Sequence, residues 1–359
     1  MFRVGIIGMG FGAAVHLPAY SAQSDVKVVA LADNGSGRAK ELVAKSGGEI
    51  RAFASGLSLA TFDGLDIVSI AAPPGEQEAL VRAALLAGKH VLCEKPFCLG
   101  GIAAKELTKL AYERRLNGGV FYELRYDPGI KTLIEMINAG EIGNVHHIAV
   151  TWQTNGQLDP RRDWSWRHDA KQGGGVLVDW FIHVVDYASR ITHCPIRSLR
   201  ARATTNVQER FTRSLIKQVV SAPDECEVTC EFESGVTGEF AVSNACRVPV
   251  GHRVKVTGDC GSIVLQHTPP FSVSDRSLQL IPLNGVGKFV NCLPPKFEQL
   301  SDERIAVAAE LIADFILVIK GGHCPALPTF GDGVANWRTI EAALAAVDDG
   351  LMHTIDTLY

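Results

Sequence analysis

The stretch IIGMGFGAA, Ile6 to Ala14, decides the fold. It closes the continuous apolar run RVGIIG and opens a helical segment, Gly12–Ser21. An apolar run without polar alternation is how a parallel strand buried on both faces reads. Gly8, Gly10 and Ala13 stand in the turn at GxGxxA spacing. Gly8 permits the tight turn, Gly10 lets the backbone approach a pyrophosphate, and the small Ala13 allows close helix–strand packing. Phe11 and Gly12 complete the turn. A pyrophosphate would sit on the helix N-terminus, where free N–H groups and the helix dipole favour an anion. Asp33 ends the next apolar run, VKVVALAD, 20 residues after Ala13. That is where an acid accepts the ribose 2′-hydroxyl of an adenine dinucleotide. Asp33 would repel a 2′-phosphate, so NAD is expected, with NADP kept as the second candidate because Arg38 lies close by in sequence.

Working outward, LDIVSIAAP, KHVLCEKP and GGVFYEL read as further buried strands, separated by helices over Ser36–Ala44, Glu76–Ala87 and Gly100–Leu116. Such alternation predicts an α/β doubly wound parallel sheet, a Rossmann domain over residues 1–123. After Leu124 the pattern changes. A helix is expected over Pro128–Ala139, and another from the glycines at 173–175 to about Arg190. In CEVTCEFE, Cys226, Val228, Cys230 and Phe232 share one face while Glu227, Thr229, Glu231 and Glu233 share the other. This is the signature of a sheet covered on one side. More strands are expected near GVTGEFAVSN, HRVKVTG and GSIVLQH, and two helices near Asp302–Ile319 and Gly333–Val347. Residues 124–359 therefore read as an α+β substrate-binding and oligomerisation domain with a large, mainly antiparallel open sheet. Its helix at about 333–347 is a candidate to pack back on the Rossmann domain.

At 359 residues two domains fit, and a formal charge of −4 gives no reason to expect nucleic acid or an anionic membrane as partner. Met1 is followed at once by FRVGIIGMG, without the basic, apolar and cleavage segments of a secretory signal in series. IAVAAELIADFILVIKGG carries Glu310 and Asp314 and reads as an amphipathic core helix rather than a membrane span. Nine cysteines form no CxxC pair, and Cys93/Cys98 and Cys226/Cys230 lack partners at zinc-site spacing. Free thiols in a cytoplasmic protein without a metal site are expected.

GIIGMGFGAAVHLPA, IAAPP, AGKHVLCEKP, LRYDP, AGEIGNV and GGGVLVDWFIHVVD occur in this order. Together they resemble the Gfo/Idh/MocA family of nicotinamide-dependent oxidoreductases, whose members act mostly on sugars, sugar nucleotides and cyclic polyols. The resemblance runs from residue 4 to about 190. It implies that Lys95, just past a strand end, holds the reacting hydroxyl, and that a cis Lys95–Pro96 bond is available to the turn. It also implies that His183 is the acid/base and that Asp179 binds a neighbouring hydroxyl. Histidine suits the proton because its unperturbed pKa lies near 6.5. Ala72, Pro73, Gln77, Glu94 and Lys95 join the glycine turn as expected cofactor contacts. Tyr122, Arg125, Trp166 and Arg167 are candidate substrate contacts, and Asp186 reads as structural.

Two positions depart from the family pattern. Gln77 stands near a usual histidine, so altered cofactor contacts are expected. Phe181 replaces a usual glycine between Asp179 and His183, which would narrow the substrate cleft or repack the domain joint. The resemblance implies a sugar or polyol dehydrogenase or reductase acting as a homodimer or homotetramer through the C-terminal sheet. An NAD-dependent glycosidase and a non-catalytic dinucleotide-binding regulator of the same fold are the alternatives.

Overall fold

The computed structural model describes residues 1–45, 49–268, 276–294, 296–297, 300 and 302–355. Its contacts divide the chain into two compact units, residues 1–126 with 295–335, and residues 127–294 with 336–359.

The first unit is built on a six-stranded sheet. β1 (Phe2–Ile7), β2 (Val26–Ala32), β3 (Arg51–Phe53), β4 (Ile67–Ile70), β5 (His90–Glu94) and β6 (Gly118–Phe121) lie in the order β3-β2-β1-β4-β5-β6. Every neighbouring pair is parallel. The strand order reverses between β1 and β4, and open α/β sheets take ligands beyond the carboxyl ends at such a point. A π-helical turn, Gly12–His16, runs into α1 (Leu17–Ser21). The other crossovers are α2 (Arg38–Lys45), α3 (Gly56–Ala60), α4 (Pro74–Leu86) and α5 (Gly101–Glu113). β3 is absent from the sequence reading, because three residues at a sheet edge show no period.

The units do not follow a division at residue 123. α6 (Pro128–Asn138), β7 (Val145–Gln153) and the elements after them belong to the second unit, but α9 (Glu303–Ile319) returns to the first. The physical reason is its apolar face. Ala308, Leu311, Ile312 and Phe315 share one buried cluster with Val4, Ile6, Val15 and Leu31. The segment after α9 also closes the free edge of β6. Val120 donates its N–H to Pro328 O at 2.9 Å, and Gly119 bridges Thr329. The helix expected at 333–347 is α10 (Phe330–Asp349), whose residues from 336 onward count with the second unit.

The second unit carries a nine-stranded sheet. Its strands are β7, β8 (Ile196–Thr204), β11 (Glu225–Phe232), β12 (Thr237–Ser243), β13 (Gly251–Gly258), β14 (Gly261–His267), β15 (Arg276–Pro282), β16 (Lys288–Val290) and β17 (His353–Thr354). The order is β16-β15-β14-β13-β7-β12-β11-β8-β17, with β7–β12 the parallel pair. β11 buries Cys226, Val228, Cys230 and Phe232. Its other face carries cross-strand ion pairs, Arg202 to Glu227 at 2.6 Å and Arg197 to Glu231. β9 (Glu209–Phe211) and β10 (Lys217–Val219) form a separate antiparallel hairpin. α7 (Val176–Asp179) and α8 (Phe181–Thr192) are two helices rather than one, with Trp180 between them at φ −116° and ψ −50°.

Candidate functional site

In the first unit, the glycine turn joins the carboxyl end of β1 to the π-helical turn. Gly8 has φ +98°, and a Cβ there would stand 2.3 Å from Ala71 O, so neither backbone nor space admits a side chain. A Cβ on Gly10 would meet no atom within 4 Å, which leaves an open cradle on that side of the turn. A Cβ on Gly12 would stand 3.1 Å from Ile6 Cγ2 and 3.2 Å from Ala71 Cβ, so the helical turn lies close on the sheet there. Ala13 is only partly buried, so the close packing assigned to it falls chiefly on Gly12. The open Gly10 side, with a helix start behind it, fits a dinucleotide pyrophosphate.

Asp33 lies just beyond β2 and is buried. Its Oδ1 accepts from Gly35 N–H at 2.9 Å, and its Oδ2 accepts from Ala39 N–H at 2.9 Å and Ser36 Oγ at 3.2 Å. The Ala39 amide, helped by the others, holds the carboxyl below its ordinary pKa and keeps it ionised. Asp33 thus fixes the loop that enters α2 and still has lone-pair capacity for a ribose hydroxyl. Arg38, the first residue of α2, is exposed.

Ala72 and Pro73 follow β4, and Pro73 stands just before the first turn of α4. Gln77 is fully buried, and its amide is spent inside the protein. Nε2 donates to Ala72 O at 3.1 Å, and Oε1 accepts from Cys98 N–H at 2.8 Å. It braces two loops, and these bonds spare a buried carboxamide the cost of lying unpaired. Lys95 is half-buried and joined to buried Pro96 by a cis peptide bond. Glu94 Oε1 meets His16 Nε2 at 2.9 Å.

Tyr122 is fully buried. The Arg125 guanidinium is buried and donates to Asp332 Oδ1 at 2.6 Å and Ala326 O at 3.3 Å. Asp332 is in turn kept ionised, with Arg125 the chief influence lowering its pKa against the cost of burial. Arg125 thereby clamps the segment that edges β6.

In the second unit, Asp179 ends α7 and His183 lies in the first turn of α8, both buried. Arg167 Nε donates to Asp179 Oδ2 at 3.3 Å, and its guanidinium lies 4.4 Å from the centroid of the Trp166 ring. His183 lies 6.0 Å, centroid to centroid, from Trp152, which also packs on Trp180 at 4.7 Å. Phe181 is fully buried and faces Phe240 of β12 at 5.7 Å. Its ring packs in the core beneath the sheet. Asp186 is buried and accepts from Asn336 Nδ2 at 3.0 Å.

A cavity in this unit is lined by Gln157, Arg167, His168, Asp179, Arg210 and Asn244, among others. The sequence reading missed Arg210. Its side chain is 1% exposed and donates to Asp159 O at 2.7 Å and to Gln157 O. Arg210 Nε and Asn244 Oδ1 are buried without a protein hydrogen-bond partner among the described residues. Burial, with Arg210 nearby, pushes the His168 pKa down to about 4. The neutral ring accepts from Ser165 N–H at Nδ1, 2.9 Å away, and its Nε2 lies 3.2 Å from Gln157 Oε1.

Residues 2–122 match an oxidoreductase family with an NAD-binding Rossmann fold, and residues 130–264 match the GFO/IDH/MocA C-terminal domain. The chain is 35% identical over 358 residues to inositol 2-dehydrogenase 1 of Saccharopolyspora erythraea, covering 97% of this chain and 94% of that protein. It is 27% identical over 264 residues to glucose-6-phosphate 3-dehydrogenase of Bacillus subtilis, covering 72% of each. A levoglucosan dehydrogenase solved with NADH and levoglucosan shares the fold at TM-score 0.88 and 22% identity, over 99% of this chain and 100% of that one. No helix among the described residues is long and apolar enough to cross a membrane. The glycine turn, the open cradle at Gly10 and the two family matches agree: this chain belongs to the GFO/IDH/MocA family and is an NAD-dependent oxidoreductase with an N-terminal Rossmann domain.

Proposed function

We propose that the enzyme moves a hydride between NAD and a secondary alcohol or ketone of a sugar or an inositol-like cyclic polyol. The observation that carries this reading is the Asp179–His183 pair, a carboxylate and an imidazole four residues apart and both buried where α7 gives way to α8. A hydroxyl both donates and accepts, so a carboxylate that accepts and an imidazole that can donate or accept suit a polyol. The relatives named for inositol and glucose 6-phosphate support the same class.

NAD, when bound, supplies the hydride acceptor or donor. Gly8, Gly10, Gly12 and Asp33 hold it. Lys95 donates to the reacting hydroxyl oxygen and stabilises negative charge as it develops there. His183 takes that hydroxyl's proton, or returns it, near neutral pH. Asp179 accepts from an adjacent hydroxyl, and the Arg167 hydrogen bond keeps its carboxylate in one orientation.

The protein in this reading is a cytoplasmic homodimer or homotetramer joined through the nine-stranded sheet, which sedimentation at micromolar concentration checks. A panel of aldoses, inositols and sugar nucleotides with NAD and NADP, followed at the NADH absorbance band, tests the reaction. Turnover of a sugar or inositol with NAD is expected. Turnover of none, by an enzyme that binds NADH, would refute the substrate class.

A further inference from the structure

We propose that His16 is a positioning residue. It fixes Glu94, and through Glu94 the Lys95 turn, against the helix that follows the glycine turn. Its functional meaning rests on the role given to Lys95 above.

His16 is fully buried at the end of the π-helical turn. Its Nδ1 is 2.8 Å from Ser69 Oγ on β4, and its Nε2 is 2.9 Å from Glu94 Oε1 at the end of β5. Its ring stacks on Phe121 of β6, with centroids 4.3 Å apart and planes 19° apart. Phe11, in the glycine turn, meets the same ring edge-on at 5.7 Å and meets Phe121 at 6.2 Å. One side chain therefore touches three consecutive strands and the turn that seats the cofactor.

Packing alone does not ask for histidine. A buried imidazole is costly unless both nitrogens are bonded, and a phenyl ring would stack on Phe121 without that cost. Both nitrogens are bonded here. A carboxylate can only accept, so Nε2 carries the hydrogen toward Glu94. In the neutral ring Nδ1 accepts from the Ser69 hydroxyl. The bonds set the ring's orientation, and the ring sets where the Glu94 carboxylate lies.

Glu94 is the last residue of β5 and Lys95 is the next along the chain. Pro96 and Phe97, just beyond, are buried. With Glu94 pinned on one side and Pro96 enclosed on the other, the Lys95 backbone has little freedom. The His16–Glu94 bond thus ties the place that holds a pyrophosphate to the place that presents the lysine, in the manner of the outer partners that orient a site's working groups.

The test reads Lys95 directly and needs no substrate. Lysines are dimethylated with carbon-13 formaldehyde, and the Lys95 methyl signal is assigned by its loss in K95R. His16→Phe keeps the stack on Phe121 and removes both hydrogen bonds, while Glu94→Gln keeps the shape of its partner. Both variants should displace or broaden the Lys95 signal, and the double variant should move it no further than the larger single. NADH affinity in H16F should stay within about threefold of wild type, since the turn's backbone donors are untouched. A Lys95 signal unmoved in folded H16F and E94Q, or displacements that simply add, would overturn the proposal. So would a loss of NADH binding beyond about tenfold with Lys95 unmoved, which would make His16 part of the turn's packing alone. Should H16F not fold, E94Q with H16Q carries the test, H16Q retaining an amide donor and lying nearer wild type than E94Q. Failure to find a sugar substrate would leave these readouts intact, so the two failures are distinguishable.

Discussion

Gln77 and Cys98 are joined by a 2.8 Å hydrogen bond in which a side-chain carbonyl on α4 accepts a backbone N–H from the loop after β5. The other end of the same amide holds Ala72 O in the loop after β4. Gln77→Ala should therefore lower unfolding stability by about 1–3 kcal/mol, the cost of leaving buried backbone groups unpaired. Denaturant unfolding with and without NADH measures it. A variant with wild-type stability and weakened NADH binding would return Gln77 to the cofactor.

The turn glycines should separate in their effects. Gly8→Ala forces a Cβ onto Ala71 O at positive φ, so both thermal stability and NADH binding should fall. Gly10→Ala meets no atom and should fold like wild type, while Gly10→Val should keep its stability and lose most NADH affinity in calorimetry. Wild-type NADH affinity in G10V would remove the pyrophosphate from that side of the turn.

Asp33 does two jobs in this reading, so its substitution should show both. Asp33→Asn weakens the hydrogen bonds to Gly35, Ser36 and Ala39, costing about 1–2 kcal/mol of stability. It also removes the charge that repels a 2′-phosphate, so the ratio of NADPH to NADH affinity should rise. An unchanged ratio would mean that specificity is set elsewhere.

His168 gives a signed pH dependence. Its folded pKa lies near 4 against an ordinary 6.5. Above 6.5 both states are neutral and stability is flat. As pH falls from 6.5 toward 4, the unfolded chain takes up a proton that the folded one refuses, and stability drops by about 2–3 kcal/mol before levelling. Melting curves of wild type and His168→Gln across that range check it, the variant showing the shallower slope.

For the proposed reaction, His183→Asn should keep NADH affinity and lose about 10²–10⁴-fold in kcat. Lys95→Met should lose at least as much. The losses should not multiply if both serve one hydroxyl. Near-normal turnover in H183N, with the wild-type pH limb intact, would move the base elsewhere.

Five of the six Rossmann strands were legible because β1, β2, β4, β5 and β6 are buried over most of their length and read as apolar runs, with Arg3 and Lys27 the exposed interruptions. The family motifs lie at their carboxyl ends, where any open sheet would place them. What escaped was set by distant partners. Arg210 sits between Glu209 and Phe211 and reads as a solvated hairpin charge, yet carbonyls at 157 and 159 bury it. VLVDWFIHVVD keeps a helical period without glycine or proline, so the break at Trp180 left no mark. Gln77 and Arg125 show a side-chain type suited to ligands, and the loop that each also holds is one that sequence spacing could not bring to it.

The strip of chain along β6 has a consequence for biosynthesis. Val120 and Gly119 take their edge partners from residues 328 and 329, and α9 supplies the apolar cover between. All the Rossmann strands leave the ribosome before either piece exists. Until then the nascent sheet carries an open edge and a bare apolar face, the features that invite wrong pairing. At roughly 5–20 residues per second, synthesis of the intervening chain lasts about ten seconds or more. A stop codon after residue 126 would make that exposed interval permanent, so the amino-terminal piece alone should collect in the insoluble fraction. Supplying residues 295–335 on a separate polypeptide is the rescue its missing strap implies.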